Sequence, residues 1–459
     1  MAGLLDSLSS ATSGLTAART GLDVTGQNIA NINTPGYVRR RLELAERAPS
    51  DPSSAGRGVE VVQIRALRDL YIESRIGHEQ AGKSRDQAAL DGLRGIEAAV
   101  GLPGTSIDQR LTAFFDGFSL LATDVTSATA RDAVVREGQE LGQAFRSLSA
   151  DLSEAQRATD RSIRDSVGEL NQLAAKVAQL NARITGGGST GPDIDALRDE
   201  RNVATQRMAE LADVTVLNRS DGAVDVTVAT GYAMVVGSSS YEMTITPQPP
   251  SGFVQLSLAD HDVTTRLTGG RIGGLIGLRD EALPRYQGRL DQLAYDVATQ
   301  VNTLHVAGFD ATGAAGGDFF TAPGAVAGAA AAFGVSAAVA ADPQRVAGSG
   351  TGAVGDNQTA RAIAALRESR VMDGSTATAA DVWASFVYEV GADVRATEVS
   401  SGTRDQIVRQ LQRLRDQQSG VSLDEEAANL MRFQRTYEAS ARYFTTIVDT
   451  LDTLMAMVR

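Results

Sequence analysis

Three histidines, a few adjacent carboxylates and one glycine-rich hexapeptide are the groups in this chain whose types and spacing could do chemistry. His78, His261 and His305 are scattered and have no ligand spacing, so they read as structural or solvated side chains. The pairs Asp424/Glu425 and Asp199/Glu200 read as helix-start or surface charges. Neither sits in an evident apolar pocket that would raise a carboxyl pKa for acid catalysis. Gly350-Thr351-Gly352-Ala353-Val354-Gly355 fits G-x-G-x-x-G. A dinucleotide site also needs a preceding strand and a helix opening on the last glycine, and Asp342-Pro343 interrupts the upstream run. Arg39-Arg40-Arg41 is too short for a nucleic-acid patch and reads as a source of inter-subunit ion pairs. No catalytic residue, metal ligand or cofactor site is assigned, and the chain is not read as an enzyme.

Composition narrows the class. A chain of 459 residues has room for two to four domains. A net charge of −13 argues against a general nucleic-acid binder, which needs a basic face. No apolar run approaches the length of a membrane span, and the N-terminus lacks the pattern of a cleaved secretory signal. Zero cysteines remove disulfides, thiolate metal sites and cysteine nucleophiles together.

The elements that organise the chain lie at its two ends. Leu4, Leu8, Ala11, Leu15, Ala18, Leu22, Thr25, Ile29 and Ile32 keep a 4-3 spacing. Leu423, Ala427, Leu430, Tyr437, Ala441, Phe444, Val448, Leu451, Met455 and Val458 repeat it, broken only by Gln434. Such spacing is a coiled-coil seam that must bury against other helices. Both seams are terminal, where chains usually fray, so packing between subunits is favoured over ordinary core. The first helix should stop at Asn33-Thr34-Pro35-Gly36. Asn33 reads as a helix-end polar group. Asn28 and Asn31, three apart on one face, should bond a neighbouring subunit or the following loop, and Tyr37 is an amphipathic contact residue.

Between the ends the pattern is layered. Residues 37–72 read as extended, with short strands around Val59, Val61 and Ile64. Residues 84–212 read as helical. One helix face carries Ile107, Leu111, Phe114, Phe115 and Phe118. A helical run from Val134 to Ile184, roughly 50 residues, would reach about 75 Å if unbroken. Alternating Val224, Val226 and Val228, then Val254, Leu256 and Leu258, mark strands, with Asp221-Gly222 as a hairpin signal. Leu283-Pro284 marks a kink or restart. Residues 307–357 read as irregular, and helices return at 358–368 and 379–417. Ser422 and Glu425 form a capping box for the last helix. The expected fold is mainly α with a small β insert. Antiparallel terminal coiled-coil helices form an assembly domain (1–72 and 402–459), followed by an elongated helical rod domain (73–212 and 269–401) and a small β domain at the distal end (213–268).

Several stretches carry a family resemblance. Asn28-Ile29-Ala30-Asn31-Ile32-Asn33-Thr34-Pro35-Gly36-Tyr37 resembles the N-terminal signature shared by the rod, hook and hook-associated proteins of the bacterial flagellum. Residues 180–216 and 419–459 are similar to segments of the hook-associated protein 1 family. Residues 269–320, with a VN…H…G-x-D…G…FF tail, match that family most specifically. His305 falls in this segment and so reads as a packing or turn residue. The β insert is shorter than in many relatives.

The resemblance implies a structural adaptor, exported through the flagellar type III pathway without a cleaved signal and added at the distal end of the hook. Its implied partners are other copies of itself in a ring or helical assembly, the hook protein, a second junction hook-associated protein, and an export chaperone. Neither nucleic acid nor membrane is among them, and its place is extracellular. The implied assembly residues are Leu4, Leu8, Leu15, Leu22, Asn28, Ile29, Asn31, Ile32, Pro35, Gly36 and Tyr37 at one end. At the other they are Leu423, Leu430, Tyr437, Phe444, Val448, Leu451 and Met455. The chaperone would grip the last helix at Leu451, Leu454, Met455 and Val458, which would aggregate if left bare.

Physical chemistry agrees with such a role. Gly3, Gly14, Gly21 and Gly26 each cost the first helix about 1 kcal/mol against Ala, so the isolated segment is marginal. It is expected to be disordered in the monomer and helical in the assembly. A chain without disulfides also threads easily. The competing readings are another rod, hook or filament subunit, a flagellum-associated wall hydrolase, and an adhesin using the β insert.

Overall fold

The computed structural model describes residues 2–34, 37–48, 57–101, 106–186 and 192–457. The elements follow in the order α1 (Ala2–Ala30), β1 (Arg40–Glu46), β2 (Val59–Ala66), α2 (Leu70–Val100), α3 (Ile107–Thr123), α4 (Ala128–Gly186) and α5 (Pro192–Leu211). Seven strands come next: β3 (Val214–Asn218), β4 (Val224–Val228), β5 (Tyr232–Val236), β6 (Ser239–Ser240), β7 (Thr244–Gln248), β8 (Phe253–Leu258) and β9 (His261–Asp262). The chain then returns to helix in α6 (Gly270–Gly277), α7 (Leu283–Val306), α8 (Ala329–Ala332), α9 (Ala337–Ala341), α10 (Gln358–Ala365), α11 (Ala379–Ser419) and α12 (Leu423–Met457). The expected class, mainly helical with long helices at both termini and small antiparallel sheets, is the observed one.

The chain divides into two compact units, one of Met1–Gln80, Leu170–Glu242 and Arg404–Arg459, the other of Ala81–Glu169 and Met243–Thr403. The β residues expected as one insert form two separate sheets, β3-β4-β5-β6 and β7-β8-β9, which fall in different units. The hairpin signal at Asp221-Gly222 joins β3 to β4 as expected. Gly222 takes φ +89°, which a side chain would oppose, and Asp221 accepts from the Ala223 amide at 3.0 Å.

The second unit is built round phenylalanines. The face of α3 read from the sequence is fully internal, and Phe114 packs on Phe115, Phe118, Phe319 and Phe320 with ring centroids 5.1–5.4 Å apart. Each buried large side chain contributes about 1.5–3 kcal/mol. Residues 307–357 are short on regular structure, as expected, yet they are not peripheral. They deliver Phe319, Phe320 and Phe333 to this core. Ahead of Pro284 the chain makes a π-turn, Leu278–Ala282, and α7 restarts beyond it. The turn carries buried Arg279, whose Nη1 donates to Asp160 Oδ1 at 2.7 Å and to the Val254 carbonyl at 2.9 Å. Asp160 also accepts from the Val254 amide at 2.8 Å, which ties β8 to α4.

The first unit holds both chain ends. Its α1 packs on α12, and the β1–β2 hairpin lies against α1, where Ser13 Oγ accepts from the Val59 amide at 3.2 Å. Asn181 of α4 clamps the β3–β6 sheet by donating to the carbonyls of Val224 and Gly237, both at 2.7 Å.

Candidate assembly interface

The paired ends run antiparallel in a single register. Gly14 faces Ser440, Gly21 faces Phe433 and Asn28 faces Glu426. Seven residues forward on α1 therefore match seven backward on α12, as a heptad seam requires. The helices approach closely because α1 offers small residues at the contact. A Cβ added at Gly21 would fall 2.5 Å from Phe433 Cε1, and one at Gly14 would fall 3.0 Å from Ser440 Oγ. Two of the glycines that the sequence presents only as helix-propensity costs are thus the contact surface.

This shifts the seam from its expected centre. The innermost α1 residues are Ala11, Ala17, Ala18, Val24, Thr25 and Asn28. Leu4, Leu8, Leu15, Leu22 and Ile29 lie half-buried on its flank, and Ile32 is exposed beyond the helix end. On α12 the inner row is Glu426, Phe433, Ser440 and Ile447, while Leu430, Phe444, Val448 and Leu451 are half-buried beside it. Leu423 stays 54% exposed, Met455 70%, and Tyr437 and Leu454 are exposed too. Leu451, expected bare together with Leu454 and Met455, is half-buried. The seam, expected to pair the two ends antiparallel and to favour packing between subunits, is partly satisfied within the chain, and the large side chains are left on the flanks. Pro35, Gly36 and Val458 lie outside the described residues.

Asn28 locks the register. It is 1% exposed, and its amide uses its full bonding capacity. Nδ2 donates to the Arg40 carbonyl at 2.9 Å and to Glu426 Oε2 at 3.0 Å. Oδ1 accepts from the Tyr37 hydroxyl at 2.8 Å and from the Arg40 amide at 3.0 Å. Of the two partners expected for Asn28, the following loop is the observed one, and the last helix joins it. Asn31 instead bonds locally, donating to the Gln27 carbonyl at 3.0 Å and accepting from the Thr34 hydroxyl at 3.1 Å.

Arg39 and Arg40 make their ion pairs inside the chain, where the sequence suggests pairs between subunits. Arg39 Nε donates to Glu426 Oε1 at 2.8 Å, and its guanidinium also pairs with Glu425. Glu425 therefore turns to Arg39, where the sequence suggests a capping box with Ser422. Arg40 reaches Asp199 at 3.1 Å, which Arg68 approaches at 3.0 Å, and stacks over the Tyr37 ring at 5.2 Å. Asp199 is thus a junction residue and not the helix-start or surface charge expected. Burial pushes its carboxyl above the usual range despite both arginines. Burial likewise raises the Tyr37 phenol, with Arg40 opposing.

The remaining chemical candidates resolve into architecture. His305 is fully buried, edge-on to Phe319, with Nδ1 on the Gly317 carbonyl at 2.6 Å and Nε2 accepting from the Ala347 amide at 2.9 Å. It is the packing residue expected. The first four amides of the G-x-G-x-x-G run, Gly350 to Ala353, are already engaged. Asp356 accepts from the Thr351 hydroxyl at 2.8 Å and from the backbone of Gly350 at 2.8 Å and of Thr351 at 2.7 Å, and hydrogen bonding led by that hydroxyl holds its carboxyl far below the usual range. Nothing in the sequence links Glu426 to Asn28, and its place in the helix's first turn suggests only a favourable dipole.

Comparison with known proteins places this geometry. A family model described as the flagellar hook-associated protein FlgK helical domain matches residues 93–320. Residues 8–37 match the flagella basal body rod protein, and residues 415–457 match the C-terminal region of the flagellar basal body rod FlgEFG proteins. The chain belongs to the FlgK family of flagellar hook-associated proteins. Flagellar hook-associated protein 1 of Escherichia coli K12 is 25% identical over 98% of this chain and 99% of its own length. That of Bacillus subtilis 168 is 25% identical over 97% and 96%. In structure, the flagellar hook junction protein FlgK of Burkholderia pseudomallei matches with TM-score 0.67 at 16% identity, covering 74% of this chain and 99% of that one. In this FlgK-family chain the two rod-protein matches fall on the α1 and α12 segments that Asn28 and Glu426 join. Among the described residues no helix is long and apolar enough to cross a membrane.

Proposed function

We propose that this chain is a structural subunit of the bacterial flagellum that works as the hook–filament junction adaptor. The observation that carries the reading is the α1–α12 pair. Its inner face is closed by small residues and the Asn28–Glu426 bond, while Leu423, Tyr437, Leu454 and Met455 remain uncovered on α12. Exposed large apolar groups on a helix pair need a partner, and stacked copies of the same pair supply one. Residues 1–72 and 402–459 then act as the assembly domain, with Leu8, Leu15, Leu22, Ile29, Leu430, Phe444 and Val448 contributing the flanks of the interface. A groove of about 1260 Å3 bordered by Ala18, Gly21, Arg39, Leu44 and Phe433 opens beside the pair and is a second place for a neighbour to dock.

Family membership supports the finer assignments. The hook protein and a second junction hook-associated protein are the axial neighbours. Export proceeds through the flagellar type III route, and a chaperone beforehand covers Leu451, Leu454 and Met455 of α12 together with Val458. Electron microscopy of cells lacking the gene tests the reading. Intact hooks without filaments, with flagellin shed into the medium, are expected. Absent hooks would move the subunit to an earlier axial position, and normal filaments would overturn the assignment.

A further inference from the structure

The first unit contains a cavity of about 410 Å3 walled by the start of α2, by α5 and β3, and by the end of α11. Its charged wall residues include Arg68, Arg201, Glu73, Asp213 and Asp416, and all but one are at least partly open to solvent. Arg68 pairs with Asp199 at 3.0 Å, Glu73 accepts from Gln206 at 3.2 Å, Asp213 lies 3.8 Å from His78, and Asp416 pairs with Arg415 at 2.9 Å. Arg201 is the exception. It is 5% exposed, and its Nη1 donates only to neutral acceptors, Asn181 Oδ1 at 2.9 Å and the Gly222 carbonyl at 2.8 Å. Its neighbouring charges are Arg198 and Arg68, of the same sign, and burial with that repulsion lowers its pKa to about 10. Arg201 Nε and, on the next residue, Asn202 Nδ2 are buried with no acceptor among the described residues.

A buried cation without a counter-charge and buried donors without acceptors are each unfavourable. Both orphaned atoms here are donors, so the missing partner is an acceptor, and the buried charge without a counter-charge is positive, so that partner is an anion. One negative charge offsets one guanidinium. The acidic wall residues Glu73, Asp213 and Asp416 would repel a multiply charged phosphate. We propose that this cavity is a carboxylate-binding site in which Arg201 and Asn202 are the donors. The carboxylate comes either from a small organic acid or from an Asp or Glu side chain of a second copy of this chain.

The test uses the full-length protein labelled with 15N at arginine, following the Arg201 Nε–H resonance in two arms at constant ionic strength. One arm titrates propionate into dilute protein, with chloride as control. The other adds excess unlabelled chain without propionate. A saturable shift in the propionate arm identifies a small-acid site, and a shift only in the second arm identifies a neighbouring subunit's side chain. Either supports the proposal. Asn202→Ala removes no hydrogen bond seen in the fold and should weaken the responding arm at least 5-fold. A resonance that moves in neither arm, or an Asn202→Ala response equal to the parent's, overturns the proposal. The propionate arm does not depend on the junction role, so its result stands apart from the outcome of the gene deletion.

Discussion

Asn28 and Glu426 stand 398 positions apart in the chain, yet their side chains share a buried hydrogen bond of 3.0 Å. The bond ties the N-terminal motif to the first turn of the last helix. It also sets the heptad register in which Gly14 and Gly21 meet Ser440 and Phe433.

Replacing Asn28 by aspartate tests that link. Asn28→Asp removes both Nδ2 donors and sets one carboxylate against another at Glu426. A buried unsatisfied group costs about 1–3 kcal/mol, so urea unfolding at pH 7 should show a loss of that size. Part of the loss should return near pH 4, where the introduced carboxyl, once protonated, can donate again. An unchanged midpoint at pH 7 would mean that the network does not hold the ends together.

The same substitution at two glycines of α1 should act with opposite sign. Gly26 has open space around its Cα and Gly21 does not. Gly26→Ala should stabilise α1 by about 1 kcal/mol through helix propensity. Gly21→Ala gains the same propensity but drives a methyl into Phe433, and overpacking of this kind costs about 1–3 kcal/mol. Amide exchange of residues 4–32 should slow in the first variant and quicken in the second. In the parent monomer that segment should be only weakly protected, because no acidic residue starts the helix and no basic residue ends it.

The exposed end of α12 should be a chaperone grip. Leu454→Ser with Met455→Ser removes apolar surface that touches little within the chain. Far-ultraviolet circular dichroism should be unchanged, while pull-down by the cognate export chaperone should fall at least tenfold. Full retention would move the grip elsewhere.

His305 should make the second unit acid-sensitive. Burial holds its pKa below 6.5, although Asp318, Asp310 and the Gly317 carbonyl oppose the shift. The folded state therefore favours neutral imidazole, with Nδ1 donating and Nε2 accepting. Its contribution is fully present above pH 6.5 and is lost as pH falls from there through the folded value. Melting curves from pH 8 to pH 5 should show this decline, and His305→Gln should flatten it in that window. A slope that is the same in both would assign the decline to other groups.

Much of this protein is legible from one dimension because its elements are long and periodic. The 4-3 spacing at both ends, the α3 face and the helical run through Val134 and Ile184 each repeat often enough for apolar period to fix the element. Asp221-Gly222 marks its hairpin because a positive φ is a local demand that glycine meets at the least cost. What the tertiary structure decided is which residue meets which. Period gives a stripe, but small residues let backbones approach, so Gly14, Gly21 and Ala18 became the contact and the leucines its flanks. Arg39, Arg40, Asp199 and Glu426 carry no spacing signal, because their pairing spans hundreds of residues and is set by where the helices dock. The same holds for Arg201. Its residue type is visible in the sequence, but its burial without a counter-charge exists only once α4, α5 and the β3–β4 hairpin have closed around it.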